Sequence, residues 1–184
     1  MTECRILGAK KLTAIVGLDS LVEFKIVNAL ELPFDDQNFD VVISQEAFCH
    51  LPNKGRLIAE CVRVLKPGGR ITFTDILATG NTNEEIRRRL QCEMALFELG
   101  TQEEYLIQLV QEGCDVIDVQ NLSDEWRSIL IERLSMYRSL KGQTVEKYGS
   151  QHFAKWDNAY SFFVGLYQTE NLGGGRFLAR RHFD

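Results

Sequence analysis

Glu60-Cys61-Val62-Arg63-Val64-Leu65-Lys66-Pro67-Gly68-Gly69-Arg70-Ile71-Thr72-Phe73-Thr74-Asp75 is the stretch that decides the fold. Its first half completes an apolar stripe, Leu57, Ile58, Cys61, Val62 and Leu65, at helical spacing. Asn53 stands where such a helix takes its N-cap. Lys66-Pro67-Gly68-Gly69 then stops the helix, because proline lacks an N–H and glycine turns freely. Arg70 to Asp75 reads as a strand. Upstream, Phe39-Asp40-Val41-Val42-Ile43-Ser44 is a β-branched run typical of a strand buried on both faces of a parallel sheet. A loop of turn formers, Leu32 to Asn38, precedes it. Working further outward, residues 3–17 predict a helix ended by Gly17, and Val22 to Val27 alternates with period two as a half-buried strand. Helix and strand alternate on a short pitch, which predicts an open parallel sheet with helices on its faces.

The second half continues the pattern. A helix is expected over about 83–98. Thr101-x-x-Glu104 is a capping box that opens a helix to about Glu112, ended by Gly113. Asp115 to Val119 alternates as a strand. Ser123 is placed to cap a long helix through Trp126, Ile129, Leu130, Leu134, Tyr137 and Leu140. Another helix carries Phe153, Trp156, Tyr160, Phe163, Val164 and Tyr167. Gly173-Gly174-Gly175 reads as a flexible turn into a last strand, Arg176 to Arg180.

Composition narrows the function classes. The chain has 184 residues, 45% hydrophobic and 26% charged, with a net charge of −5. This length predicts one domain, 1–184. A mildly acidic chain lacks the concentrated basic face that phosphate backbones require, so no nucleic acid is expected as partner. Arg87-Arg88-Arg89 is the one basic cluster and reads as a solvated helix face. No apolar run approaches the ~20 residues that span a bilayer, and no signal-peptide core follows the N-terminus. No membrane partner and a cytoplasmic location are the expectations. Five cysteines at irregular spacing, with no Cys-x-x-Cys pair and three histidines, predict reduced thiols and no metal site.

Three segments in order carry a resemblance. They are Asn28-Ala29-Leu30-Glu31-Leu32-Pro33-Phe34 with Phe39-Asp40-Val41-Val42, then Ala47-Phe48-Cys49-His50-Leu51-Pro52, then Glu60 to Arg70. Together they resemble the post-cofactor half of the class I S-adenosylmethionine-dependent methyltransferase domain. Downstream, Leu122-Ser123-Asp124-x-Trp126 is similar to sarcosine/dimethylglycine and phosphoethanolamine N-methyltransferases. The resemblance implies an α/β, Rossmann-like fold, S-adenosyl-L-methionine as cofactor and a small-molecule amine as acceptor. It places residues 79–112 and 123–170 on the acceptor side.

The resemblance also implies roles. Asn28 stands where an acidic residue usually holds the adenine amino group, and an amide oxygen can still accept that hydrogen bond. Ala29 and Leu30 would offer backbone N–H and an apolar wall. Gln45 would face the cofactor from the carboxyl end of a strand, the edge where open α/β sheets bind ligands. His50 matches a histidine that orients or deprotonates the acceptor, with Glu46 beside it; alternatively His50 caps the loop before Pro52. Methyl transfer to nitrogen requires a neutral amine, and imidazole suits proton removal. Asp75 ends a strand at the same edge. It either meets a cationic amine or forms a turn. Trp126, with Tyr137, Trp156, Tyr160 and Tyr167, either lines an acceptor pocket through cation–π attraction or packs in the core.

A full domain of this family opens with a strand, a Gly-x-Gly-x-Gly turn, a helix and a second strand. Ala14-Ile15-Val16-Gly17-Leu18-Asp19 could pass for that second strand but reads as the end of the helix after it, and Gly17-Leu18-Asp19-Ser20-Leu21-Val22-Glu23-Phe24 fits the family's helix-to-third-strand junction. The expectation is therefore a fold lacking its first strands and its glycine-rich loop. Its Phe39–Ser44 strand would lie at an open apolar edge, which predicts a homo-oligomer or a complementing chain. Two readings stand: a methyltransferase, possible only in part as an isolated chain, or a non-catalytic remnant used for assembly or small-molecule binding.

Overall fold

Four strands form one mixed sheet in the order β1-β2-β4-β3. In this computed structural model, residues 3–183 are described. The strands are β1 (Phe39–Gln45), β2 (Leu65–Ala78), β3 (Cys114–Asn121) and β4 (Leu172–Arg181). The helices are α1 (Glu3–Ile15), α2 (Lys54–Arg63), α3 (Glu84–Met94), α4 (Gln102–Gln111), α5 (Ser123–Ser139), α6 (Lys141–Tyr148) and α7 (Ser150–Gln168). β1 and β2 run parallel, as their crossover through α2 dictates. β4 runs antiparallel to both β2 and β3, so the all-parallel expectation holds only for the first pair.

The strongest local signals formed as read. The Asn53 side chain accepts the Arg56 N–H at 3.0 Å. Thr101 and Glu104 close a reciprocal capping box at 3.1 and 2.7 Å. α2 ends on Arg181, whose guanidinium donates to the carbonyls of Val62, Arg63 and Leu65. One end of the last strand thereby satisfies the orphan carbonyls of the helix that leads into β2.

Two clusters sit on opposite sides of the sheet. One packs α2 and α4 against Ile71, Phe73, Phe177 and Ala179, with the Phe73 and Phe177 rings stacked at 4.7 Å. The other packs α3 and α7 against Ile76, Ala78 and Leu172.

Several expectations are corrected. Val22 to Val27 forms no strand; it is chain without regular structure, exposed except for the half-buried Phe24, and a single bridge between Asn28 and Glu31 follows it. A half-buried strand needs a hydrogen-bonded neighbour, and among the described residues none lies beside it. β1 is an edge strand rather than one buried on both faces: Val41 is 46% and Ile43 75% exposed. α3 stops at Met94, where Ala95 takes a left-handed conformation, φ 56°. Ser123 does not cap α5; its hydroxyl accepts the Gly174 N–H at 3.1 Å instead.

Gly173-Gly174-Gly175 is not a turn. It lies within β4, paired with Leu77, Ile76 and Asp75 of β2. A Cβ on Gly174 would stand 2.4 Å from the Trp126 ring, and one on Gly173 2.8 Å from the Ser123 hydroxyl. These glycines serve close packing: the first turn of α5 lies directly on the strand.

Candidate acceptor site

The site begins where β1 ends. Glu46 follows Gln45 with φ 47°, a backbone region uncommon for residues other than glycine, while its N–H still donates to Thr74 O at 2.8 Å. The bend ends β1 at its carboxyl edge, where Gln45 is still paired with Thr74. The chain then makes a short 3-10 turn, Phe48–His50, whose Phe48 and Cys49 side chains are buried and whose His50 is exposed.

Buried polar groups hold that turn from beneath. Asp75 is fully buried; it accepts the Cys49 N–H at 3.1 Å and the Tyr105 hydroxyl at 2.6 Å. Lys54 is 3% exposed, and its ammonium donates to Phe48 O and Leu51 O, both at 2.6 Å. Burial raises the Asp75 pKa against these hydrogen bonds and lowers that of Lys54. Burial likewise pushes the Cys49 thiol and the Tyr105 hydroxyl up. The structure therefore does not bring Asp75 to an open pocket. It ties the turn carrying His50 to β2.

His50 is oriented by a second element. Its Nδ1 lies 2.8 Å from Ala95 O, at the left-handed end of α3. A carbonyl can only accept, so Nδ1 carries the proton and Nε2 is left with a lone pair when the ring is neutral.

Gln45, Glu46, His50 and Trp126 line one cavity of about 470 Å³. Its roof is made by two helices. Trp126, Ile129, Leu130 and Arg133 come from one face of α5, and Tyr160, Phe163 and Tyr167 from one face of α7. Ile76, Met94 and Leu96 close it from β2 and the end of α3. Tyr167 is anchored by its hydroxyl to Gly173 O at 3.1 Å. Of the other aromatic candidates, Tyr137 and Trp156 lie outside this cavity.

A larger depression of about 840 Å³ lies between α3, α6 and α7. Two of its charged groups are paired: Arg89 meets Glu93 at 2.9 Å and stacks on Phe162, and Asp157 meets Arg138 at 2.7 Å, while the Lys141 ammonium lies 5.5 Å from the Phe153 ring centre. The smaller cavity is the one that gathers a histidine, a carboxylate and an amide at the carboxyl edge of β1.

Asn28, Ala29 and Leu30 sit elsewhere, beside α2. Asn28 Oδ1 accepts the Leu30 N–H at 3.1 Å, and Arg56 donates to Leu30 O at 3.0 Å. The Ala29 and Leu30 side chains pack inward on the α2 cluster, so what they present outward is backbone.

Sequence reasoning missed Arg133, Met94 and Leu96. Arg133 had a signal: it is seven residues beyond Trp126, which returns it to the same face of α5.

Residues 6–73 match the family model described as a methyltransferase domain. That match spans 68 of the 184 residues, and the fold is the Rossmann-like one of the solved methyltransferases on which the chain superposes. Among relatives, it is 32% identical over 115 residues to the glycine/sarcosine/dimethylglycine N-methyltransferase of Actinopolyspora halophila, covering 62% of this chain and 20% of that protein. Among solved structures, a Galdieria sulphuraria protein assigned to the sarcosine dimethylglycine methyltransferases superposes with a TM-score of 0.84 at 20% identity, covering 95% of this chain and 64% of that one. Haemonchus contortus phosphoethanolamine N-methyltransferase 2, solved with phosphomonomethylethanolamine and S-adenosylhomocysteine, gives 0.76 at 20% identity over 84% of this chain and 36% of that one. The chain thus spans between a fifth and two thirds of the length of these proteins.

Proposed function

We propose that the chain forms the acceptor side of an S-adenosylmethionine-dependent methyltransferase that acts on the amine of a small molecule. The convergence of Gln45, Glu46, His50 and Trp126 on one cavity at the carboxyl edge of β1, from three separate elements, carries this reading.

The residues present fit the cofactor at its adenine end. The Asn28 amide oxygen spends one lone pair on Leu30 and retains a second for an amino group. The Ala29 backbone lies beside it. Gly173–Gly175 is built into β4, and Gly68-Gly69 bulges from the start of β2 where the pairing with β1 jumps from Leu65 to Arg70; neither precedes a helix, as a loop that cradles the amino-acid end would. When bound, the cofactor supplies an electrophilic methyl group on a sulfonium.

The chain's own residues handle the acceptor and its proton. An amine is a nucleophile only when neutral, so a protonated acceptor must lose a proton. His50 Nε2 is the base, held in that tautomer by Ala95 O. Glu46 lies beside the same space and favours the cationic form as it arrives. The aromatic walls exclude water and restrict the acceptor's orientation. Sarcosine, dimethylglycine and phosphoethanolamine are the first acceptors to try.

Calorimetric titration with S-adenosylmethionine should give micromolar binding, unchanged in His50→Ala. Transfer of labelled methyl to an accepted amine should fall by about 10²–10⁴-fold in that variant. No binding at millimolar cofactor would sink the proposal.

The outer edge of β1 favours a second reading, assembly with another chain. Its backbone groups on that side are unpaired within the described sheet, and Ile43 is 75% exposed. Sedimentation should show self-association that Ile43→Lys removes. A monomer at all concentrations counts against it.

A further inference from the structure

α5 carries three arginines, and two of them are spoken for. Arg127 donates to Tyr167 O at 2.9 Å and meets Asp124 at 3.0 Å. Arg138 meets Asp157 at 2.7 Å and donates to the Ser161 hydroxyl at 2.7 Å. Arg133, between them, makes no hydrogen bond or ion pair among the described residues, although it lines the acceptor cavity. It also lines a second, apolar groove of about 270 Å³ on the outer side of α5 and α7, with Met136, Tyr137, Trp156 and Tyr160. Arg133 and Tyr160 are therefore the shared wall between cavity and groove. Met136 is 59% and Trp156 46% exposed there, apolar surface that an occupant would cover.

The cavity itself argues for a larger occupant than a two-carbon amine. Nine of its thirteen lining residues are aliphatic or aromatic, and it holds about 470 Å³. Along α5, Arg133 stands about 10 Å beyond Trp126, at 1.5 Å of rise per residue. Met136 and Tyr137 lie about one turn further. A ligand touching all of these has a polar head, an anionic group near its middle and an apolar tail.

We propose that the occupant is an anionic amphiphile, with its carboxylate or phosphate on Arg133 and its apolar tail in the outer groove. That its head is the methyl-accepting amine rests on the methyl-transfer reading above; the recognition of anion and tail does not. A guanidinium pairs both oxygens of either anion, and an apolar flank strengthens the pairing by excluding water.

The chain's two tryptophans report on the two compartments, Trp126 in the cavity and Trp156 in the groove. The test follows their fluorescence on adding straight-chain carboxylates, alkyl phosphates and alcohols of four to ten carbons. Affinity should rise about fourfold per methylene until the groove is full. Octanoate or octyl phosphate should bind at least tenfold tighter than octanol, and whichever anion binds tighter identifies the group. Arg133→Gln should erase the preference for the anion and keep the dependence on length. Met136→Asp should erase the dependence on length and keep the preference. Equal binding of octanoate and octanol, or a preference that survives Arg133→Gln, overturns the proposal. A chain that binds octanoate through Arg133 but not S-adenosylmethionine overturns the methyl-transfer reading alone.

Discussion

Arg63→Met should lower the unfolding free energy by about 1.5–3 kcal/mol, the cost of removing the main charged hydrogen-bond partner of a buried carboxylate that keeps Arg56 at 3.3 Å. The carboxylate is Glu60, whose side chain is 4% exposed. Arg63 donates to both its oxygens at 2.9 Å, and the Leu32 N–H donates at 2.7 Å. The same guanidinium reaches Leu32 O and Phe34 O at 2.9 Å and Asp36 at 2.6 Å. One side chain therefore staples the 30–36 loop, and with it Asn28 to Leu30, onto α2. Methionine keeps the apolar stem and removes only the fork. The effect has a pH signature. The Arg63 guanidinium holds the Glu60 carboxyl down at about 2, from 4.5. A depressed carboxylate stabilises the fold above its unfolded pKa and loses that contribution as pH falls through the folded value. Stability should thus drop by at most about 3 kcal/mol between pH 4.5 and 2 in the native chain. Urea unfolding at a series of pH values should show this drop, and Arg63→Met should flatten it. A loss under 1 kcal/mol at pH 7 would mean that solvent already supports Glu60.

What the sequence could show was local chemistry. The capping box at Thr101 and Glu104 and the cap at Asn53 depend on residues three apart, so they were legible and formed. Val22 to Val27 has a strand's alternation, but a strand also needs a neighbour, and no pattern within six residues records one. Asp75 reads as a strand-end acid that either meets a cationic amine or forms a turn. Its partners, Cys49 and Tyr105, lie 26 and 30 residues away, and only the packing of α4 over β2 makes it an internal strut. The candidate site was legible where its residues follow one another. Gln45, Glu46 and His50 are within six positions, and the bend at Glu46 brings them to one side. The helical roof was half legible: the aromatic spacing on α5 and α7 was visible, but which face meets the cavity depends on how α5 is seated. Arg133 was hidden for that reason.

The seating of α5 is set by the glycines of β4, and Gly174 is the tightest point. β4 is paired on both sides, to Ile76 of β2 at Gly174 and to Asn121 of β3 at Gly175, so its backbone cannot retreat. A methyl group at Gly174 would meet Trp126 Cε3, Cδ2 and Cζ3 at 2.4, 2.7 and 2.8 Å. The Leu122 N–H donates to Gly174 O at 2.8 Å and the Gly174 N–H to Ser123 Oγ, which pins the start of α5 to the same residue. The indole must therefore leave, or α5 must tilt about its pinned end. Gly174→Ala should cost about 2–3 kcal/mol, the upper part of the range for overpacking, and Gly174→Val more. Either movement takes Trp126 out of the cavity and shifts Arg133, seven residues along the same helix face. Ligand binding should weaken beyond what the stability loss explains. Adding Trp126→Ala to Gly174→Ala makes room for the new methyl. The double variant should recover at least 1 kcal/mol relative to the sum of the two single changes, a coupling that neighbouring sites show and distant ones do not. It should not recover binding, because the ring itself is gone. If Gly174→Ala unfolds within 0.5 kcal/mol of the native chain, α5 is free to shift over the sheet. The glycines would then not be what fixes the roof of the site.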